Sequence, residues 1–584
     1  MRVNDKNKLI TGKTVYDKFE EFRSRIKNFR SEDYRRAITE YLKGKVVIAG
    51  YGNFRAYRIG EISFDRDINN TAFEIEKEGK KESLNIKTYY KRQYNIDIRH
   101  EDQPLIIEEV PRNRRDDENK VVRYLIPELC YLTGIDELNE TDRARIITKS
   151  KFQPNEIRME WGINIDENFV EVEAQCIPIP LLEFGDKKEA PQMRNGRFRQ
   201  LRDFNPIHFN NHNCILITFD NLTNLAKNDC NQMEIAGRKL GVKFELPKLE
   251  EIHNKHEEKL LDDLRKINYN DGKVMAIVVL DRFTKNLYPT IKNFLYTQGG
   301  LTSQFMLHDE NPKGGRKKQN ISYYSAVLNQ MVVKSKGELF RINFTEKISK
   351  MPSMILGIDS TMTKEGKKFV LSASFNRNFN KFYTDFKIDK ENESALEYLI
   401  KSALDHFSNV NNKNLPGRVI IYRQGGNEKQ TEKMMKFELP KILKGFEEYK
   451  ENYKPKLSIF GVNKKTDLKF FERSDDGYRN IPAGTVIDKN VVSPDVFEFY
   501  LQCPEVERGT GSPVHFLCLY NNNDELTIND FEEITYQQSY YYWNWPGPIR
   551  IPAALKYAEV ANTFCGKNIK GSIRDNLKDS PYFI

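Results

Sequence analysis

The sequence predicts a multidomain α/β protein, and three observations carry that prediction. At 584 residues the chain is longer than one hydrophobic core serves. Two regions, opening at the apolar runs 274–280 and 354–358, alternate strand-like segments with segments of helical periodicity. A third region, 45–107, has strand-like runs interleaved with tyrosines and basic residues, the pattern of a small barrel.

The organising stretch is Met354-Ile355-Leu356-Gly357-Ile358-Asp359-Ser360, an apolar run that ends in a carboxylate. It reads as a strand buried on both faces, with an acid at its tip where a metal can bind. A turn at 364–368 leads to strands over 369–375 and 382–388. Leu396, Leu399, Ile400, Ala403, Leu404 and Phe407 recur at helical spacing. A strand over 418–422, a helix over 428–443 and a strand over 456–462 follow. This order resembles the ribonuclease H-like fold. Fold alone does not give function, so the site carries the argument. The resemblance places acids at the end of the first strand, in the first helix, at the end of the fourth strand and on a later element. Those places hold Asp359, Glu391 or Glu393, Gln424 and His515.

Charge and cysteines bound the class. The chain carries 93 Lys and Arg against 84 Asp and Glu, a net +9, which is compatible with nucleic acid without requiring it. Arg112, Arg114 and Arg115, and Arg316, Lys317 and Lys318, form basic clusters that serve either phosphates or solvated loops. Seven scattered cysteines with no CxxC argue for a reducing compartment and against a disulfide framework. His208, His212 and Cys214 have metal-like residue types, but no second paired cluster accompanies them. No apolar stretch reaches membrane-spanning length, and the expected location is intracellular, in cytoplasm, nucleus or both.

In chain order, Phe19, Phe22, Ile26, Phe29, Tyr34, Ile38 and Tyr41 predict one or two amphipathic helices. Strands are expected over 45–49, 57–62 and 104–107, with the tyrosine-rich Tyr89-Tyr90-Lys91-Arg92-Gln93-Tyr94 between them. Aromatics among basic residues on a barrel stack the bases of a single-strand end, or form its core; the residues alone leave both open. Gln103-Pro104-Leu105, the run from Leu125 to Gly134, and Tyr89 to Asn95 together resemble the end of a PAZ domain and the linker that follows it in Argonaute-family proteins, most closely the PIWI subfamily. The resemblance implies that Tyr57, Phe73, Tyr89 and Tyr94 line a pocket for the 3′ end of a guide RNA.

Further on, a helix is expected from Tyr288-Pro289, where proline is tolerated in the first turn, with Tyr288 and Lys292 on one face. A strand over 301–307 contains Gln304. A helix capped by Ser322 runs to Val333, with Gln330 and Lys334 on one face. A stacking ring, an amide and ammonium groups near helix ends suit a terminal phosphate. The spacing resembles the MID pocket of PIWI proteins. It implies 5′-phosphate binding by Tyr288, Lys292, Gln304, Gln330, Lys334 and Ile584, with Mg²⁺ held by the Ile584 carboxylate.

Three motifs of the last third resemble PIWI-domain signatures: Pro482-Ala483-Gly484-Thr485-Val486-Ile487-Asp488, Ser512-Pro513-Val514-His515-Phe516, and the run from Tyr542 to Ala553, which contains the RNA-contact candidate Arg550. The expected architecture is N-terminal helices and a small β-barrel PAZ domain (1–115), a linker (116–190), a Rossmann-like MID domain (191–345) and a ribonuclease H-like PIWI domain (346–584). The family's N-terminal domain has no counterpart, so a partner supplying that lobe is one expectation. The resemblance also implies a small guide RNA, a complementary target RNA and effector proteins as partners, acting in RNA silencing.

An intact site would hold two Mg²⁺ about 3.5–4 Å apart, one activating water and one stabilising the leaving oxygen. Asp359 would bridge them, with Glu391 and His515 as further ligands. The family has Tyr-Arg-Asp-Gly where this chain has Tyr422-Arg423-Gln424-Gly425. A neutral amide does not offset a dication. Glu428 and Asp488 are nearby acids that would have to substitute. Target cleavage is therefore expected to be lost. The alternative is a Mg²⁺-dependent, guide-directed endoribonuclease with an altered metal shell.

Overall fold

The computed structural model describes residues 2–3, 9–10, 12–25, 32–51, 55–77, 80–108, 123–133, 169–184, 187–189, 193–194, 197–198, 214–269, 275–308, 320–390, 394–425, 428–475, 477–506 and 509–584. Glu391, Glu393, His208, His212 and both basic clusters lie outside these residues, as do the side chains of Phe73 and Glu428. Contacts divide the chain into two units, Met1–Phe169 and Val170–Ile584.

In the first unit, helices α1 (Val15–Arg25) and α2 (Glu32–Leu42) bury Val15, Phe19, Tyr34, Ile38 and Leu42 against a sheet. The sheet comprises β1 (Val46–Ala49), β2 (Ala56–Ser63), β5 (Leu105–Glu108), β6 (Tyr124–Leu125) and β7 (Cys130–Leu132), in the order β6-β5-β2-β1-β7. A hairpin of β3 (Ala72–Lys77) and β4 (Lys80–Asn85) leads directly into helix α3 (Ile86–Tyr94). The side chain of Asn85 accepts from the Thr88 amide, and Asn95 closes the helix at φ 53°.

Two large sheets form the frame of the second unit. The first is built from β9 (Cys214–Phe219), β10 (Lys248–Ile252), β11 (Met275–Asp281) and β12 (Thr302–His308), all parallel, in the order β10-β9-β11-β12. Helices α4 (Thr223–Leu240), α5 (Glu257–Lys266), α6 (Tyr288–Phe294) and α7 (Ile321–Lys334) make the crossovers and the final cover. This is a doubly wound, Rossmann-like arrangement, and it explains why β11 is buried over almost its whole length. The cap of helix α7 lies two residues before the predicted one: the side chain of Asn320, not Ser322, accepts the Tyr323 amide. Both residue types cap helices, and local sequence does not separate them.

The second sheet has nine strands, and β13 (Ser353–Thr363), an inner strand, lies third from one edge. On one side β13 pairs antiparallel with β14 (Gly366–Ser374), which pairs with β15 (Phe382–Ile388). On the other side it pairs in parallel with β16 (Arg418–Gln424), which is followed by β17 (Lys456–Asn463). The sheet continues through β20 (Val514–Asn521), β19 (Glu498–Gln502) and β18 (Thr485–Ile487) to β8 (Gln175–Cys176). Helix α8 (Ala395–Val410) covers one face. Helices α11 (Ile528–Gln538) and α12 (Ala553–Asn568) contribute to the core on the other.

The helix predicted over 428–443 is three pieces. α9 (Glu428–Lys433) gives way to a π-helical turn, Met434–Glu438, before α10 (Leu439–Glu447). Pro440 has no N–H for the carbonyl four residues back, which accounts for the widened turn.

β13 and α12 touch at Gly357. A Cβ there would overlap the Leu555 nitrogen and the Ala554 carbonyl. Only a glycine lets the helix lie this close to the strand that carries Asp359. Gly357→Ala is expected to destabilise the protein by about 1–3 kcal/mol or more through overpacking, read by urea denaturation; an unchanged midpoint would contradict this packing.

Candidate nucleic-acid interface

The strongest candidate lies at the carboxyl ends of β11 and β12. A cavity of about 510 Å³ is lined there by Leu280, Lys285, Tyr288, Lys292, Gln304, Phe305, Lys334 and Ile584, among others. Five of the six residues expected to hold a 5′-phosphate are on its wall. The sixth, Gln330, is adjacent: its Oε1 accepts from Gln304 Nε2 at 3.1 Å, and its own amide donates to Asn544.

The two lysines define the electrostatics. Lys292 and Lys334 are each 2% exposed. The Lys334 ammonium donates to Gln304 Oε1 (2.9 Å) and to the Ser303 carbonyl (3.1 Å). The Lys292 ammonium donates to the Tyr296 hydroxyl (2.7 Å), which itself donates to the Tyr582 carbonyl (2.7 Å). The rings of Tyr296 and Phe305 lie 4.8 and 4.9 Å from Lys292 Nζ, a partial compensation by cation–π attraction. Among the described residues, no Asp or Glu side chain lines the cavity. Burial pushes Lys334 down to about 7 and, with repulsion from Lys334, pushes Lys292 well below its ordinary value. Tyr288 stacks edge-on against Phe305 and is pushed up to about 12 by burial. The cavity is a preformed, electropositive and partly aromatic recess.

In the first unit, Tyr89 and Tyr94 come together with Tyr51 and Tyr90, which sequence spacing does not single out. Ring centroids lie 4.9 Å apart for Tyr51 and Tyr90, 5.2 Å for Tyr51 and Tyr94, and 6.0 Å for Tyr89 and Tyr94. The Tyr90 hydroxyl donates to Tyr51 at 2.7 Å. Tyr57, from β2, packs against the core held by α1 and α2, with Arg55 over its ring at 5.6 Å, and lies close enough to Tyr51, Tyr90 and Tyr94 to help raise their pKa values. Phe73 belongs to β3, and its side chain is outside the described residues.

At the tip of the nine-stranded sheet, Ile358 stands beside Arg423, so Asp359 and Gln424 follow side by side on adjacent strands. The environment is not that of a metal cage. Asp359 Oδ2 accepts from Asn562 Nδ2 at 2.8 Å. The amide oxygen of Gln424 is buried without a hydrogen-bond partner. Arg423 forms a buried bidentate pair with Glu438 of the π turn (2.7 and 3.1 Å) and donates to Ser360 (2.6 Å). Burial pushes Glu438 up, but Arg423 and Lys367 outweigh it and hold the carboxyl below its ordinary range. His515 Nε2 is engaged by Glu498 at 2.7 Å, and its ring stacks on Tyr500 at 4.6 Å. Asp488 lies close enough to the buried Glu532 to help raise its pKa. Among the described residues, no three His, Cys, Asp or Glu side chains are grouped to hold a metal ion. Without Glu391 and Glu393, which lie outside those residues, this donor set does not fit a pair of hard dications. Arg550 donates to the carbonyls of Lys464 (2.9 Å) and Ser512 (2.8 Å), joining the segments that follow β17 and precede β20.

A doubly wound sheet with an electropositive recess and a mixed sheet with an acid at the tip of an inner strand give the second unit the architecture of the ribonuclease H-like class. The Piwi domain model matches residues 275–570, and the PAZ domain model matches residues 18–153. The chain belongs to the Argonaute–PIWI family. It is 25% identical to Piwi-like protein 1 of Danio rerio, over 99% of this chain and 69% of that protein. It is 26% identical to Piwi-like protein Ago3 of Bombyx mori, over 94% of this chain and 62% of that protein. The crystal structure of Drosophila Piwi superposes with a TM-score of 0.66 at 21% identity, covering 98% of this chain and 76% of that one. Kluyveromyces polysporus Argonaute with a guide RNA gives a TM-score of 0.66 at 17% identity, covering 98% and 73%. Piwi domains are ribonuclease H-like, a class that generally works with divalent metal. No helix among the described residues is long and apolar enough to cross a membrane.

The buried lysines make a stability prediction. Lys334 takes up a proton near pH 7 in the folded chain and near 10.5 when unfolded. Across that window the unfolded chain binds the extra proton, so the unliganded protein gains stability as pH rises. Relative to Lys334→Met, the wild-type unfolding free energy is expected to rise by about 1 kcal/mol per pH unit from 7 to 9. Urea titrations at both pH values check this, and parallel curves would contradict it.

Proposed function

We propose that this protein binds a small single-stranded guide RNA and uses it to recognise complementary RNA, acting as a binding protein in RNA silencing. The observation that carries the reading is the cavity holding Lys292 and Lys334, two buried cations that face no acidic side chain among the described residues. A terminal phosphate dianion matches that charge, and the flanking Tyr288 ring supplies a stacking surface for the terminal base. Gln304 and Gln330 provide amides beside it. The Ile584 carboxylate is the group through which Mg²⁺ would join the phosphate to the protein; the ion would screen carboxylate from phosphate. The tyrosine cluster of Tyr51, Tyr89, Tyr90 and Tyr94 is assigned to the 3′ end, with Tyr57 and Phe73 near it. Arg550 is retained as an RNA contact through its remaining donors.

Three domains and a linker share this work: helices and PAZ (1–115), linker (116–190), MID (191–345) and PIWI (346–584). The likeness to Kluyveromyces polysporus Argonaute, a structure that holds a guide RNA, supports a guide strand as the ligand class. Effector proteins follow from a chain that binds a target without cutting it.

Loss of cleavage rests on Gln424 and on the engaged state of Asp359 and His515. The retained Asp359 and His515 favour the second reading, a guide-directed endoribonuclease. Guide-dependent cuts at a fixed target position in Mg²⁺, abolished by Asp359→Ala, would establish that alternative.

For the binding reading, a 5′-phosphorylated single-stranded RNA is expected to bind more tightly than its 5′-hydroxyl counterpart. Lys292→Ala and Lys334→Ala are each expected to weaken the phosphorylated strand by roughly ten- to a hundredfold and the hydroxyl strand much less. Filter binding reads both, and equal losses on both strands would contradict the assignment.

A further inference from the structure

The disagreement between the sheet tip and a two-ion cage extends beyond residue 424. Asp359 pairs with Val370, and Thr361 pairs with Lys368, across β13 and β14. Directly opposed residues share a face, as do alternate residues of one strand, so Asp359, Thr361 and Lys368 lie on the same face. It is the face on which α12 packs, since Gly357 has the same parity and meets Ala554 and Leu555.

From that helix a single amide reaches the strand. Asn562 Nδ2 donates to Asp359 Oδ2 at 2.8 Å and to Thr361 Oγ1 at 2.7 Å. The orientation is chemically fixed, because an ionised carboxylate only accepts and the amide must present its N–H₂ to it. Asn562 is 4% exposed, and its Oδ1 is left buried without a partner. An amide that strands its own oxygen is held by the acceptors on its nitrogen side. The Lys368 ammonium, 6% exposed, donates to the main-chain carbonyl of Asn562 at 3.0 Å. It braces the turn that carries the amide and sets a basic group on the face of Asp359, its pKa lowered by burial and held up in part by that carboxylate. An approaching dication meets an N–H on the carboxylate oxygen it needs, and an ammonium close by.

We propose that Asn562, braced by Lys368, is a positioning residue that keeps Asp359 hydrogen-bonded and closed to metal, so that Gln424 is one of two independent defects. The inference rests on the non-cleaving reading above and predicts that restoring the missing acid alone does not restore the ion site. The full chain is titrated with Mn²⁺, read by electron paramagnetic resonance, and only binding removed by Asp359→Ala is counted. That subtraction excludes ions held elsewhere, including any at Ile584.

The wild type and Gln424→Asp are expected to show little Asp359-dependent binding. Gln424→Asp with Asn562→Ala is expected to bind Mn²⁺ at least roughly tenfold more tightly than Gln424→Asp alone, the size of effect that residues supporting a ligand have on metal affinity. Asn562→Ser in the same background carries the same expectation and serves where the alanine variant fails to fold by circular dichroism. If Gln424→Asp alone binds as tightly as the double variant, this inference is overturned while the non-cleaving reading stands. If the wild type already shows Asp359-dependent binding, the non-cleaving reading falls, and this inference with it.

Discussion

Two ammonium groups, each 2% exposed and sharing a cavity that no Asp or Glu side chain of the described residues lines, set the terms for the second unit of this protein. Burying an unpaired cation is among the costliest arrangements a fold can hold, and the usual outcome is loss of the proton or of the burial. Here the surroundings offset the cost only in part. Lys334 is steadied by Gln304 Oε1 and the Ser303 carbonyl, and Lys292 by the Tyr296 hydroxyl and the surrounding rings. The Tyr296 hydroxyl is in turn tied to the Tyr582 carbonyl, so the doubly wound sheet and the final residues are built around the same two charges. The arrangement makes physical sense as half of an ion pair whose other half is a ligand.

The tip of the nine-stranded sheet is the electrostatic opposite. Its cations are matched internally: Arg423 and Lys367 close on Glu438, and Lys368 closes on the helix carbonyl behind Asp359. Its anion and its imidazole are engaged as well, Asp359 by Asn562 and His515 by Glu498. Among the described residues, little uncompensated charge is left there to attract a dication. One end of the unit is short of an anion, and the other holds itself together without a cation. That distribution suits the proposed role, in which a strand is gripped and not cut.

Much of this was legible in the sequence because it is local. Tyr288 and Lys292 share a helix face, Gln304 sits in an apolar strand, and Lys334 ends a periodic helix; four-residue spacings and strand parity place them. The replacement at Gln424 was legible because Tyr422-Arg423 and Gly425 frame it. What escaped was non-local. Asn562 meets Asp359 across 203 residues, and Tyr296 meets Tyr582 across 286, and no periodicity announces either contact. The helix expected over 428–443 missed its π turn, although Pro440 was the signal that could have marked it. That turn is what presents Glu438 to Arg423. Tyr51 and Tyr90 were passed over because one is in a strand-end turn and the other among four tyrosines, where spacing does not say which rings converge.

The central claim is that the phosphate completes the two lysines. If so, binding a 5′-phosphorylated strand near pH 8 must draw protons onto groups whose pKa values burial had depressed. Isothermal titration calorimetry in buffers of different ionisation enthalpy measures that proton count directly. The account predicts net uptake of protons for the phosphorylated strand, absent for the hydroxyl strand and reduced in Lys334→Met. Tight binding of the phosphorylated strand with no proton uptake would contradict it.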